Sequence, residues 1–322
     1  MKAYVYGANG AAIADIAKPS PKGTQVLIRV HACGLNRADL GMTKGHAHGS
    51  AGGAGTVLGM EWAGEVAEVG PDAKGVKVGE KVMGSGSAAF AEYTLADHGR
   101  LFRTPSNMNF EEACTLPIAI STMHNAVVTN GALQPGQTVM IQGASSGVGL
   151  MAMQIAKLKG AKFVVGSSTD PTRRGRLKEF GADLAVDSSD PGWVDQVLQA
   201  TGGEGVDLIV DQISGSVANQ NLKATKVKGR IVNVGRLGGT HGDFNFDLHA
   251  ARRISYIGVT FRTRSIEEIR EIFDEVRKDI WPAVESRKLQ MPIDRVFAFD
   301  DIDKAFEHME ANRHLGKIVV TL

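Results

Sequence analysis

Gln142-Gly143-Ala144-Ser145-Ser146-Gly147-Val148-Gly149 is the stretch on which the fold turns. It stands between an apolar run, Val139-Met140-Ile141, and a segment from Val148 to Lys159 whose apolar residues recur at helical spacing. The glycines follow Gly-x-x-x-Gly-x-Gly, a departure from the common Gly-x-Gly-x-x-Gly that keeps its mechanics. Glycine permits the tight turn and lets backbone approach a pyrophosphate, and the N-terminus of the next helix offers N–H donors and a positive dipole end. All seven residues from Gly143 to Gly149 are therefore candidate ligands of a dinucleotide. A glycine-rich turn alone is weak evidence, and a turn without a ligand is the plain alternative. The place of this one in a strand–turn–helix series gives it weight.

Downstream, Phe163-Val164-Val165, Leu184-Ala185-Val186, Leu208-Ile209-Val210, Ile231-Val232-Asn233-Val234 and Ile254 to Val259 read as further strands, with helices at Arg173–Phe180 and Trp193–Ala200. Short apolar runs separated by helices predict a parallel sheet covered on both faces. Residues 117–259 are read as a Rossmann-type, doubly wound nucleotide-binding domain. Upstream the signal is different. Gln25–Val30, Gly64–Val69, Gly79–Gly84 and Phe90–Leu95 carry β signals separated by glycine turns, and Gly45–Gly59 reads as a mobile loop. Glu111–Val128 is expected to be a joining helix. After the parallel sheet, a helix over Ile266–Lys278 capped by Ser265, a helix over Asp303–Glu310 and a strand from Lys317 to Leu322 return the chain to the β-rich part. The fold class is α/β, with a β-rich domain of residues 1–116 and 260–322.

A length of 322 residues fits about two domains. The two cysteines, Cys33 and Cys114, exclude Cys₄, Cys₃His and iron–sulfur sites, while a single bridge stays open. A formal charge of +1 gives no basic surface for nucleic acid or an anionic membrane. No run of about 18 apolar residues predicts a membrane span. Met1–Tyr6 runs directly into strand-like sequence without the apolar core of a signal peptide, so a cytoplasmic protein is expected.

The tip of the second parallel strand selects the cofactor. An acidic residue there accepts ribose hydroxyls, whereas small polar and basic residues accommodate a 2′-phosphate. The strand ends Gly166-Ser167-Ser168-Thr169 with no carboxylate, and Arg173 and Arg174 follow within a turn. Ser167, Ser168 and Arg173 therefore point to NADPH rather than NADH. Asp170, acidic and close, is the counter-evidence.

Several stretches outside the loop carry a resemblance. Gly34-Leu35-Asn36-Arg37-Ala38-Asp39, Leu58-Gly59-Met60-Glu61-Trp62-Ala63-Gly64-Glu65-Val66, Ala89-Phe90-Ala91-Glu92-Tyr93, Thr115-Leu116-Pro117 and Gly316-Lys317-Ile318-Val319 span nearly the whole chain. Together they resemble the medium-chain dehydrogenase/reductase superfamily, in its zinc-free quinone oxidoreductase and enoyl/alkenal reductase branch. The resemblance implies a GroES-like β-rich catalytic domain beside the Rossmann domain. Zinc alcohol dehydrogenases carry a cysteine ligand in the first segment and a histidine ligand in the second. Asn36 and Met60 stand at those positions here, and an amide and a thioether are poor zinc donors. Cys33 lies three residues from the ligand position. No metal is expected, and the implied reaction is hydride transfer to a substrate already electrophilic, a quinone or a conjugated alkene.

The resemblance places Asn36 and Asp39 beside the nicotinamide ribose; turn or cap polarity is their alternative. Thr122 matches a threonine near the cofactor, or is a helix hydroxyl bonding its own backbone. Some family reductases hold a tyrosine proton donor where this chain has Gly45-His46-Ala47-His48. His46 and His48 are then either proton donors or solvated loop residues. Val234, Gly235 and Arg236 follow the fifth strand, Phe261 follows the last, and Lys317 lies in the closing segment; each is a candidate cofactor or pocket contact. The rival readings are a zinc alcohol dehydrogenase, a short-chain dehydrogenase (none of the tyrosines has the Tyr-x-x-x-Lys lysine) and a non-catalytic NADPH-binding or sensing protein. The edge strand near Ile254–Val259 suggests a homodimer. The expected partner is a small-molecule electrophile.

Overall fold

The computed structural model describes residues 1–49 and 51–322. Alternating small and branched residues open the chain as a hairpin, β1 (Lys2–Gly7) against β2 (Gly10–Asp15). β3 (Gln25–Gly34) follows, then α1 (Arg37–Met42), β4 (Thr56–Val57), β5 (Glu61–Val69), β6 (Lys81–Ser85), β7 (Tyr93–Asp97), β8 (Leu101–Arg103) and α2 (Phe110–Ala113). Strand β3 pairs antiparallel with β5 along most of its length and with β7 at its start. The inward faces bury Trp62, Phe90, Val30 and Ile28 in one core. Burial of several such side chains, at about 1.5–3 kcal/mol each, is what holds these short strands together.

Helix α3 (Pro117–His124) carries the chain into the second unit, which spans Thr122–Thr260; the first comprises Met1–Ser121 and Phe261–Leu322. The second unit runs β9 (Thr138–Gln142), α4 (Gly147–Leu158), β10 (Phe163–Ser167), α5 (Pro171–Arg176), β11 (Leu184–Val186), α6 (Trp193–Ala200), β12 (Val206–Asp211), α7 (Ala218–Ala224), β13 (Thr225–Asn233), α8 (Phe246–Arg252) and β14 (Ser255–Gly258). Its six strands are parallel, in the order β11-β10-β9-β12-β13-β14. The order reverses between β9 and β12, and such a switch point opens the crevice where doubly wound sheets take ligands. Every residue of β9 is buried, as a central strand covered on both faces requires. Among the described residues, β14 pairs only with β13 and forms the sheet's edge.

The chain returns to the first unit through α9 (Ile266–Asp279), α10 (Trp281–Glu285), β15 (Ile293–Ala298), α11 (Ile302–Glu310) and β16 (Lys317–Thr321). Strand β16 joins β3 antiparallel and completes the order β15-β16-β3-β5-β6-β8. Its closing position brings Lys317 against the start of α1.

The joining segment differs from expectation. A single helix over Glu111–Val128 would place Pro117 in its interior, where a ring and a missing N–H break the hydrogen-bond ladder. The chain instead forms α2, capped by Asn109 and Glu112, then restarts at Pro117 and ends in a wider π-type turn over Asn125–Asn130. The expected helix at Arg173 starts two residues earlier, at Pro171. Helices α1, α7, α8 and strand β15 had no strong periodic signal. In the stretch Gly45–Gly59, Ser50 lies outside the described residues, and β4 and a His48–Ala51 bridge order the rest.

Candidate functional site

In the parallel-sheet unit the loop after β9 is bent back over the sheet. Gly143 has φ +71°, a left-handed value that favours glycine. Its N–H donates to Ser167 Oγ at 3.0 Å, and Ala144 N–H donates to the Ser167 carbonyl at 2.8 Å. Ser146 caps α4, accepting the Gly149 N–H at 3.1 Å. The N–H groups of Gly147 and Val148 in the first turn have no intrahelical acceptor and point outward with the positive dipole end, a seat for an anion. A Cβ on Gly149 would lie 2.6 Å from the Gly143 carbonyl oxygen and 2.7 Å from Ala144 Cα. Only glycine lets helix and loop approach this closely. Gly143, Ser145, Ser146, Gly147 and Val148 form the accessible rim of the loop, while Ala144 and Gly149 are its buried floor.

The strand tip corrects two expectations. Ser167 is fully buried and donates to Gln142 Oε1 at 2.6 Å. It braces the loop from beneath and is not presented to a phosphate. Ser168 is also buried, with its hydroxyl on Ser145 Oγ at 3.0 Å. Asp170 serves as the N-cap of α5, accepting the Arg173 N–H at 2.8 Å. Arg174 is committed to the Ser168 carbonyl (2.8 Å) and Asp187 (2.9 Å). Among the described residues the Arg173 side chain has only a long contact to Asp170, 3.7 Å from Nε.

Beneath the loop lies a buried polar network that sequence reading did not find. Gln142 Nε2 donates to Asn221 Oδ1 (2.8 Å), and Asn221 Nδ2 donates to Asp211 Oδ2 (3.0 Å). Asp211 Oδ1 accepts the N–H groups of Ile213 and Ser214. Burial raises the Asp211 carboxyl above its usual range, although these donors oppose the shift. Gln212 donates to the Gln142 carbonyl at 3.2 Å, and Ser146 Oγ donates to its Oε1 at 2.8 Å. The same turn holds the next candidates, since Val234 and Gly235 N–H groups donate to the Asp211 carbonyl. Arg236 is exposed, with Nη1 on the Val234 carbonyl at 3.1 Å. Thr122 is half-buried in α3.

In the β-rich unit, the first-segment residues close into a charged cluster. Lys317 Nζ donates to Glu61 Oε2 (2.5 Å), Asn36 Oδ1 (2.8 Å) and the Leu35 carbonyl (3.1 Å). Glu61 Oε1 accepts the Ile118 N–H at 2.6 Å. Asn36 Nδ2 lies 3.2 Å from both Glu61 Oε2 and the Gly34 carbonyl, so both amide hydrogens are engaged. Lys317 is 5% exposed and Glu61 and Asp39 are at 0%. This corrects the expectation that Lys317 reaches toward the cofactor, because its ammonium is turned inward to neutralise Glu61. Glu61, the buried carboxylate at the centre of this cluster, was passed over in the sequence although it lay inside a quoted signature.

Asp39 accepts the Asn36 N–H at 2.7 Å, and its other oxygen is buried without a partner. Burial pushes the Asp39 carboxyl up to about 7, helped by the charge of Glu61 and opposed by the Asn36 donor and Lys317. A carboxyl whose folded pKa exceeds its unfolded value binds more protons when folded, so stability falls as pH rises through roughly 4 to 7. Asp39→Asn should flatten this slope, at most about 1.4 kcal/mol per pH unit, in denaturant melts from pH 4 to 8. An unchanged slope would show that another group sets it.

Two models of known families match this chain: the alcohol dehydrogenase GroES-like domain over residues 22–106 and the zinc-binding dehydrogenase over residues 147–278. The chain belongs to the medium-chain dehydrogenase/reductase superfamily. It falls in the quinone oxidoreductase-like branch, and its two units are the GroES-like and Rossmann-type domains of the superfamily, whose members bind NAD(P) in the latter. A quinone oxidoreductase of Homo sapiens is 28% identical over 96% of this chain and 92% of its own length. A phenolphthiocerol/phthiocerol polyketide synthase of Mycobacterium tuberculosis is 28% identical over 96% of this chain, which spans only 14% of that protein. A solved alcohol dehydrogenase superfamily protein from Novosphingobium aromaticivorans superposes with a TM-score of 0.89 at 29% identity, covering 100% of this chain and 99% of that one.

Seen as a medium-chain dehydrogenase/reductase, the chain departs from the zinc pattern in its donor atoms. The amide of Asn36 is held by Lys317 and Glu61, Met60 offers a thioether, and Cys33 Sγ donates to the Ala89 carbonyl at 2.9 Å. Burial raises the Cys33 thiol well above its usual value, with Asp39 and Glu61 adding to the shift, which disfavours the thiolate a metal would need. This donor set does not fit zinc. In the loop after α1, His46 is exposed and His48 half-buried. Burial, then the charge of Arg262, lowers the His48 pKa. Tyr6 of β1 lies under the same loop: a Cβ on Gly45 would come within 2.5 Å of its hydroxyl. It is a phenol near the expected tyrosine position that no local motif announces. Phe261 is half-buried where the chain re-enters this unit. No described helix is long and apolar enough to cross a membrane.

Proposed function

We propose that this chain is an NADPH-dependent reductase that transfers hydride, without zinc, to a quinone or to a carbon–carbon double bond activated by a carbonyl. The observation that carries this reading is the state of the two zinc-ligand positions: one is a thioether and the other an amide whose hydrogens are spent on Glu61 and Gly34. Without a Lewis acid, electrophilic activation must come from the substrate, as it does in quinones and enones. When bound, the reduced nicotinamide supplies the hydride, and a proton completes the reduction. The chain's own contribution is to seat the pyrophosphate on the Gly143–Gly149 loop and the start of α4, and to hold Asn36 in one orientation. Proton delivery is assigned to the loop after α1, with Tyr6, His46 and His48 as its acid–base side chains, Tyr6 reaching it from β1.

Selection of NADPH follows from Arg173. Its neighbour Arg174 is fully engaged and Asp170 is spent on capping α5, which leaves Arg173 as the cation for a 2′-phosphate. Arg173→Ala is expected to raise the KM for NADPH about tenfold while that for NADH changes little, in initial-rate assays with each cofactor. An equal change for both would remove the argument. The free edge of β14 supports a homodimer built by pairing that edge across a two-fold axis; a monomeric mass in light scattering would count against it. The reaction itself is tested by following NADPH oxidation against quinones, enals and enones with the zinc content of the enzyme measured.

A further inference from the structure

The turn His98–Arg100 before β8 holds a cation that the fold does not use. Arg100 Nε is buried without a hydrogen-bond partner, and among the described residues its side chain makes no hydrogen bond, ion pair or ring contact. The carboxylate that acts on it across space, Asp97, is already committed. Asp97 takes Arg270 Nε (2.8 Å) and Nη2 (2.6 Å), Thr24 Oγ1 (2.7 Å) and the Gly99 N–H (2.9 Å). Burial lowers the Arg100 guanidinium from its ordinary value, and Asp97 offsets this only in part. The side chain is half-buried: Nε is shut off from water without an acceptor, which is a cost to the fold, while the terminal nitrogens stay open to a ligand; groups kept at such a cost cluster at binding sites.

Its location ties it to the site already described. The tip of the side chain reaches Gly86, where an added Cβ would lie 3.9 Å from Nη2 and 4.0 Å from Cζ. Gly86 donates its N–H to the Met60 carbonyl at 2.8 Å, and the preceding Ser85 pairs with Glu61 in the sheet. Arg100 thus lies alongside the strand pair that carries Met60 and Glu61. Gly86 presents no side chain between the guanidinium and that segment. Its fork of donors matches a carboxylate in geometry and charge.

We propose that Arg100 anchors a carboxylate on the substrate, so that the electrophile reduced is an acid-bearing conjugated alkene, of the oxo-enoate class, in preference to a neutral enone or quinone. The proposal rests on the reductase reading. The alkene π bond is consumed: hydride from NADPH forms the new C–H bond at the carbon β to the activating carbonyl, a proton delivered through the loop after α1 adds at the α carbon, and NADP⁺ is released.

The test compares 4-oxopent-2-enoate with its methyl ester by NADPH oxidation, in wild type, Arg100→Leu and Arg100→Gln. In wild type the acid should exceed the ester in kcat/KM by about tenfold or more, and the ratio should collapse toward one in both variants through KM. Melting temperatures should be unchanged or slightly higher, since no partner is lost and the unsatisfied Nε is removed in Arg100→Leu. No preference in wild type, or a ratio preserved in the variants, overturns the proposal. So does a lowered melting temperature with the ratio preserved, which makes Arg100 structural. If neither compound is reduced, the reductase reading fails, and calorimetric titration of 4-oxopent-2-enoate into the NADP⁺-loaded protein decides Arg100 separately. Binding in wild type that is lost in Arg100→Leu upholds the anchor; equal binding, or none in wild type, overturns it.

Discussion

Lys317→Met should destabilise the protein by about 3–5 kcal/mol, because it leaves the Glu61 carboxylate buried and uncompensated. Glu61 is fully buried, and among the described residues Lys317 is its only cationic partner. Methionine keeps the volume and apolar stem of lysine, so packing alone predicts a small loss. The Ile118 N–H and Asn36 Nδ2 would remain on the carboxylate and soften the effect without supplying charge. Glu61→Gln combined with Lys317→Met should recover most of the loss, since an ion pair replaced on both sides costs far less than one broken on one side. Urea melts of the wild type, both single variants and the pair measure this. A single variant within about 0.5 kcal/mol of wild type would show that the pair contributes nothing to the fold.

Gly149→Ala should lower affinity for NADPH at least about 100-fold, close to 3 kcal/mol. Helix propensity alone predicts the opposite tendency, since alanine in a helix is favoured over glycine by about 1 kcal/mol. The close approach decides the sign. The new methyl would stand 2.6 Å from the Gly143 carbonyl and 2.7 Å from Ala144 Cα and its oxygen, all of them backbone. These atoms cannot swing aside as a side chain would, so the loop must lift from the helix N-terminus and lose its anion seat. Fluorescence titration of NADPH, with circular dichroism to show retained secondary structure, reads the effect. Unchanged affinity would mean that the loop does not hold the pyrophosphate.

The parallel sheet was legible because period and punctuation agree: apolar runs of strand length, amphipathic segments between them, and a glycine turn where strand meets helix. The β-rich unit was legible mostly through its signatures, since its strands are short. The candidate site was less so, for reasons of geometry. Ser167 has the residue type expected at a 2′-phosphate, but its place at the strand tip turns its hydroxyl beneath the loop. Lys317 and Glu61 are 256 positions apart, and no local pattern links them before β16 docks beside β3. Gln142 and Asp211 become neighbours only because β9 and β12 pair in register. Asp170 had a local signal that would have resolved it: an aspartate before Pro171 reads as a helix cap with proline in the first turn, and so as a carboxylate already in use. Arg100 carries no signal at all in sequence, because an arginine without a partner looks like any surface arginine until burial is known.

Hydride transfer without a metal is what we propose for this chain. It is tested most directly by assaying NADPH oxidation, with a quinone and with an enone, on enzyme whose zinc content has been measured before and after treatment with a strong chelator. Turnover is expected from preparations with far less than one zinc per chain, undiminished by the chelator. Zinc bound at one per chain, with activity lost on chelation and restored by adding zinc back, would contradict it.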